Sequence, residues 1–135
     1  MLDYYQVSDL FTPEERQVGA SVREFLEAEA MPYVAEWWTN GAFPAELVSK
    51  FGELGLLGAT LPKPYASAEL TSVAYGLIMY ELERVDSGFR SFVSVQGSLV
   101  MYPIDRYGSD EQEEAYLRDL AQGKSIGCFG LVHDQ

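Results

Sequence analysis

The 135-residue sequence is poor in the residues from which most metal and nucleophile sites are built. Its one cysteine, Cys128, can neither close an intrachain disulfide nor supply a cysteine-rich zinc site. Its one histidine, His133, stands outside every helix signal and is expected to be a solvated residue. The paired Glu-x-x-His motifs of a di-iron bundle are therefore missing, and a His-dependent nucleophile would be poorly held. Cations are scarce: 9 Lys and Arg face 21 Asp and Glu, for a net charge of -12. A surface that acidic is repelled by nucleic-acid phosphates and by anionic lipid, so neither is an expected partner. No apolar run approaches the ~18 residues of a spanning helix, so no membrane insertion is expected. Met1–Ser8 has no basic start and no apolar stretch, so it does not read as a signal peptide. The expectation is a cytoplasmic protein, or a mitochondrial matrix protein in a eukaryote, although no transit peptide is seen. A phosphate-binding loop is also lacking, because Gly52, Gly55 and Gly58 follow no strand signal and precede no Lys-Ser/Thr.

What is present is helix-forming sequence. Hydrophobic residues make up 47% and charged residues 22%, enough apolar surface for a core at this length. Thr12-Pro13-Glu14-Glu15 has a hydroxyl at the N-cap, proline at the first helical position and Glu three residues after the cap. Val18, Val22, Phe25 and Leu26 follow at helical spacing until Met31-Pro32. A short aromatic helix (Tyr33, Val34, Trp37, Trp38) should stop at Asn40-Gly41, and another should open at Phe43-Pro44 and end at Gly55. Leu61-Pro62-Lys63-Pro64 must be extended or turning. Thr71 or Ser72 caps a helix that ends near Asp86-Ser87-Gly88. The next, Phe89 to about Met101, is apolar on most sides and so is expected to be buried. Pro103 should restart or kink it. Ser109-Asp110-Glu111-Gln112 is a second capping-box pattern, and Gly123 ends that helix. Ser125–Leu131 alternates small and bulky residues and reads as a strand. The fold class is thus all-α, a bundle of about six helices over 1–123, with one terminal β-strand in 124–135.

One stretch carries a pattern suited to chemistry. Ser87, Ser91, Ser94 and Ser98 are spaced 4, 3 and 4, which puts four hydroxyls on one face of a helix. Arg90 sits in the first turn of that helix, where free N–H groups favour an anion. Arg90 with Ser91 and Ser94 could hold a ligand carboxylate by a guanidinium fork and hydroxyl donors. Other readings fit the same spacing. Serines in a buried helix can bond carbonyls one turn back, small residues permit close helix packing, and Arg90 can pair with Glu83 or Asp86.

The motifs around this stretch form an ordered series. Phe51-Gly-Glu-Leu-Gly-Leu-Leu-Gly-Ala-Thr60, Tyr80-Glu-Leu-Glu-Arg-Val-Asp-Ser-Gly-Phe-Arg-Ser91 and Ser94-Val-Gln-Gly-Ser-Leu-Val-Met-Tyr-Pro-Ile104 resemble the N-terminal helical domain of acyl-CoA dehydrogenases, glutaryl-CoA dehydrogenases above all. Tyr107–Gln112, Ile126–Leu131 and the opening Asp3–Arg16 continue the likeness in order, over 3–131. The resemblance implies an oxidoreductase that uses FAD: a glutamate removes the α proton of an acyl-CoA while hydride leaves the β carbon for the flavin. It implies that Arg90, Ser91 and Ser94, with Glu83 beside them, hold the distal carboxylate of a dicarboxylic acyl-CoA. It implies that Phe129, Gly130 and Leu131 begin the flavin-binding stretch.

Two departures qualify the likeness. The loop that is glycine-rich in the family reads Lys63-Pro64-Tyr65-Ala66-Ser67-Ala68-Glu69 and is expected to run differently. After Leu131 the sequence reads Val132-His133-Asp134-Gln135, without the family's β domain, most flavin contacts or catalytic glutamate. The chain is therefore expected to be truncated, with no catalytic residue and no retained FAD of its own. Either it belongs to a complete dehydrogenase, or it is a non-catalytic module that self-associates or meets a complementary chain.

Overall fold

The computed structural model describes residues 3–65 and 69–131. His133 and the loop residues Ala66, Ser67 and Ala68 lie outside them. The described chain is helical: a 3-10 turn Val7–Leu10, then α1 (Pro13–Glu29), α2 (Val34–Asn40), α3 (Glu46–Glu53), α4 (Ser72–Val85), α5 (Ser87–Ser94), a π-helical segment Val95–Met101, α6 (Tyr102–Tyr107) and α7 (Asp110–Ala121).

Local chemistry sets most of the boundaries. Glu15 N–H donates to Thr12 Oγ1 at 3.2 Å, and Thr12 N–H donates to the Glu15 carboxylate at 2.9 Å, closing the expected capping box of α1. Ser109 and Gln112 do the same for α7, at 3.4 and 2.9 Å. Thr71 caps α4 by accepting from Ala74 N–H. Glycines at positive φ follow α2 at Gly41 and α7 at Gly123.

The chain divides into two compact units, Met1–Phe43 with Leu70–Arg90 and Pro44–Glu69 with Ser91–Gln135. In the first, α1 packs along α4, and the core is Val22, Leu26, Ala30, Ala74, Ile78, Leu82 and Phe89. The Phe89 ring meets Trp37 and Phe43 edge-on, at centroid distances of 5.9 and 6.0 Å. In the second, the buried set includes Leu47, Val48, Phe51, Leu56, Leu57, Val100, Met101 and Leu117, and α7 packs on α6 and the π-helical segment. Each unit is discontinuous in sequence, the second joining α3 to the segment from Ser91 onward.

Three expectations are corrected. The helix after Asp86 begins at Ser87, two residues early, because the Asp86 carboxylate caps it by accepting from Phe89 N–H at 3.2 Å. That helix is not buried all round: Val93, Val100 and Met101 are buried, but Leu99 is 44% exposed. Pro103 stands where the α-helix restarts, as expected: α6 opens at Tyr102 with the proline in its first turn. The turn ahead of the proline is widened, with Tyr102 N–H reaching back five residues to Gly97 C=O. Widening relieves the clash that a proline ring makes with the carbonyl four residues earlier in a regular α-helix. Finally, Ser125–Leu131 forms no strand among the described residues. Its alternation is real, but a strand requires a neighbour to bond, and here Cys128–Leu131 make no backbone hydrogen bond among the described residues.

Candidate functional site

Glu83 and Arg90 are brought together. They lie seven residues apart on α4 and α5, and the break at Asp86 turns one helix end toward the next. Arg90 Nε donates to Glu83 Oε2 at 2.8 Å, and Ser87 Oγ donates to Glu83 Oε1 at 2.7 Å. The Arg90 hydrogen bond, then that of Ser87, holds the Glu83 carboxyl below its usual range. The pair is open to water, the Arg90 side chain being 40% exposed. Asp86 is not the partner of Arg90. Its Oδ1 caps α5, and its Oδ2 accepts from Trp38 Nε1 at 2.5 Å. Between the two pairings that spacing allowed, the structure takes Glu83.

This contact uses one edge of the guanidinium. Nη1 and Nη2 of Arg90 have no acceptor among the described residues. Arginine presents five donors in a planar fork, so a second carboxylate could approach the Nη edge without displacing Glu83. Ser91 and Ser94 continue along α5. Ser91 is exposed and Ser94 half-buried, and neither hydroxyl bonds the carbonyl one turn back among the described residues. Ser87 and Ser98 are also exposed, so the serine stripe is not a buried polar channel.

Phe129, Gly130 and Leu131 are accessible. Phe129 is half exposed, Leu131 largely so, and no atom lies within 4 Å of where a Gly130 Cβ would stand. Their backbone groups make no hydrogen bond among the described residues.

Two polar features lay outside the expectations from sequence. Glu81 is buried at 3% exposure and accepts from Arg23 Nη2 at 2.6 Å, from Arg23 Nε at 3.1 Å, and from Arg84 Nε at 2.8 Å. Arg84 Nη2 also reaches Glu27 at 3.0 Å. Burial pushes the Glu81 carboxyl up, but the hydrogen bonds and charges of Arg23 and Arg84 outweigh it and leave the group below its usual range. The second is Gln96, also 3% exposed, whose side-chain amide bonds both the N–H and the C=O of Gly127 at 2.9 Å. A lone amide among Val93, Val95, Leu99 and Val100 was the signal for it. Among the described residues no cluster of His, Cys, Asp and Glu is arranged to hold a metal ion, and no helix is long and apolar enough to cross a membrane.

Residues 12–124 match the model of the acyl-CoA dehydrogenase N-terminal domain. A glutaryl-CoA dehydrogenase from Mycobacterium smegmatis in complex with FADH2 superposes with a TM-score of 0.90 at 48% identity, over 94% of this chain and 33% of that one. The butyryl-CoA dehydrogenase of Megasphaera elsdenii superposes with a TM-score of 0.82 at 28% identity, over 91% of this chain and 33% of that one. In sequence, the mitochondrial short-chain specific acyl-CoA dehydrogenase of Homo sapiens is 37% identical over 128 residues, 94% of this chain and 31% of that protein. The chain thus spans about a third of the length of these relatives. It belongs to the acyl-CoA dehydrogenase family, through that family's N-terminal domain.

Proposed function

We propose that this chain supplies the acyl-pocket wall and the first flavin-facing residues of an FAD-dependent dehydrogenase that acts on the CH–CH group of a dicarboxylic, glutaryl-like acyl-CoA. The observation that carries the reading is Arg90, anchored by Glu83 through Nε and left with a free Nη edge. An arginine held on one side and open on the other is pre-organised for a carboxylate, since its orientation is fixed before the ligand arrives. Ser91 and Ser94, further along the same helix, add hydroxyl donors in the direction the helix runs. Likeness at 48% identity to a glutaryl-CoA dehydrogenase supports the dicarboxylic choice over a plain fatty acyl chain.

Phe129, Gly130 and Leu131 are the residues here that fit the edge of an FAD ring, and residues 124–135 begin the next domain in this reading. When bound, FAD supplies the hydride acceptor. The chain's own part is to hold the far end of the acyl group, and the base that takes the α proton comes from polypeptide beyond these residues. Alone, the 135 residues neither hold FAD nor oxidise acyl-CoA. Exposed Leu10, Trp38 and Tyr107 favour association, with further polypeptide or with a second copy, over a solitary monomer.

The test exchanges this sequence for the matching N-terminal third of the Mycobacterium smegmatis glutaryl-CoA dehydrogenase. The hybrid should oxidise glutaryl-CoA. Arg90→Ala in that hybrid should lower kcat/KM for glutaryl-CoA by about 10- to 100-fold, as for loss of a charge-assisted bond worth ~1.5–3 kcal/mol. Butyryl-CoA, with no distal carboxylate, should be affected far less. Equal losses for both substrates would reduce Arg90 to a structural ion pair. Turnover and bound flavin absorbance in the unexchanged chain would contradict the division of labour stated here.

A further inference from the structure

We infer that Gln96 is a positioning residue, which clamps Gly127 so that the chain runs on a fixed course into Cys128–Leu131. A primary amide carries one donor side and one acceptor side, as a peptide group does. Gln96 Nε2 donates to Gly127 C=O and Gln96 Oε1 accepts from Gly127 N–H, both at 2.9 Å. One side chain thereby supplies the paired bonds that a residue of a neighbouring antiparallel strand would supply.

The other wall of the clamp is Val100. It lies four residues after Gln96 in the π-helical segment and is likewise buried. A Cβ on Gly127 would stand 2.3 Å from Val100 Cγ1 and 3.1 Å from its Cγ2. Only an unsubstituted peptide unit fits the slot, and the amide on one side and the isopropyl group on the other fix its position. These are also the last hydrogen bonds along the described chain: Ser125 N–H bonds Asp119 C=O at 3.2 Å, Gly127 bonds Gln96, and nothing follows. The hydrogen bonding that fixes the approach to Cys128–Leu131 therefore ends, among the described residues, at Gly127. The value of that order to catalysis rests on the reading of Phe129–Leu131 as flavin-facing. The clamp itself does not.

Cys128 gives a native reporter, being the single cysteine, exposed, and next to Gly127. In the full 135-residue chain a nitroxide on Cys128 should give a restricted spectrum, and the Gly127 amide should exchange slowly with solvent. Gln96→Leu removes both bonds. Gln96→Asn, one methylene shorter, cannot span both Gly127 groups yet keeps a polar amide for the case in which the leucine variant does not fold. Either folded variant should mobilise the label and speed Gly127 exchange about tenfold, while exchange in α1 and α4 stays unchanged. A variant in which the label stays restricted and Gly127 stays protected overturns the inference, even if its melting temperature falls, because Gln96 would then only fill space. Neither readout involves flavin or acyl-CoA, so failure here is distinguishable from failure of the substrate reading.

Discussion

Replacing Glu81 by glutamine tests whether the most buried charge of the first unit is a stabilising element. Glu81 receives three N–H donors, Nε and Nη2 of Arg23 and Nε of Arg84, with the Arg23 Nε–H shared between both carboxylate oxygens. An amide of the same shape offers one acceptor oxygen and turns its NH2 toward a guanidinium. Removing one partner of a buried ion pair costs ~3–5 kcal/mol when the other charge is stranded. Here the stranding is partial, because the Arg23 side chain is 52% exposed and can rehydrate, and Arg84 keeps Glu27. The expected loss is therefore about 2–3 kcal/mol, roughly 6–12 °C in melting temperature at this chain length. Glu27→Gln is the control. Its side chain is 54% exposed, so the loss should stay below about 1 kcal/mol.

Acidity gives the same experiment a second arm. The Glu81 pKa is lower in the folded state than its ordinary value of 4.5. Its contribution is then complete above that value and is lost as pH falls through it toward the lower folded one. Urea unfolding followed by circular dichroism from pH 7 to about 3.5 should show the gap between the parent chain and Glu81→Gln closing on the acid side. A Glu81→Gln variant no less stable than Glu27→Gln, or a gap that does not change with pH, would refute the reasoning.

Two further substitutions follow from local geometry. Thr12→Ala removes the hydroxyl that Glu15 N–H donates to and should cost about 1 kcal/mol in urea unfolding. Gly52→Ala should be more damaging, by ~1–3 kcal/mol or more, because its Cβ would stand within 2.3 Å of the backbone carbonyl group of Gln122, which cannot swing aside as a side chain can. A Gly52→Ala chain with an unchanged urea midpoint would mean that α3 and the end of α7 do not approach as closely as described.

Elements with a local cause were legible in the sequence. Thr12-x-x-Glu15 and Ser109-x-x-Gln112 are closed within four residues, so their hydrogen bonds follow from spacing alone. Glu83 and Arg90 were legible for a similar reason, since one short helix break separates them. Arg23 and Glu81 were not. They are 58 residues apart, and each by itself is an ordinary charged residue on a helix. The apparent strand at Ser125–Leu131 failed because alternation reports which face side chains take and not whether a neighbour exists to bond the backbone. The π-helical turn left only an indirect mark in sequence, Pro103 in an otherwise continuous helix. The proline marked where the α-helix restarts, but spacing alone did not show that a wider turn precedes it.

That wider turn alters the phase of everything after it. Each residue of a regular α-helix advances the backbone by about 100°, so one surplus residue between Val95 and Met101 rotates the downstream half by nearly a third of a revolution while barely lengthening it. Gln96 and Val100, one turn apart and upstream of that rotation's full effect, meet Gly127 from the same face of the segment. Deleting a single residue there would keep the helix yet turn a different face of α6 toward α7, so the stretch is far less tolerant of length change than its unremarkable sequence suggests.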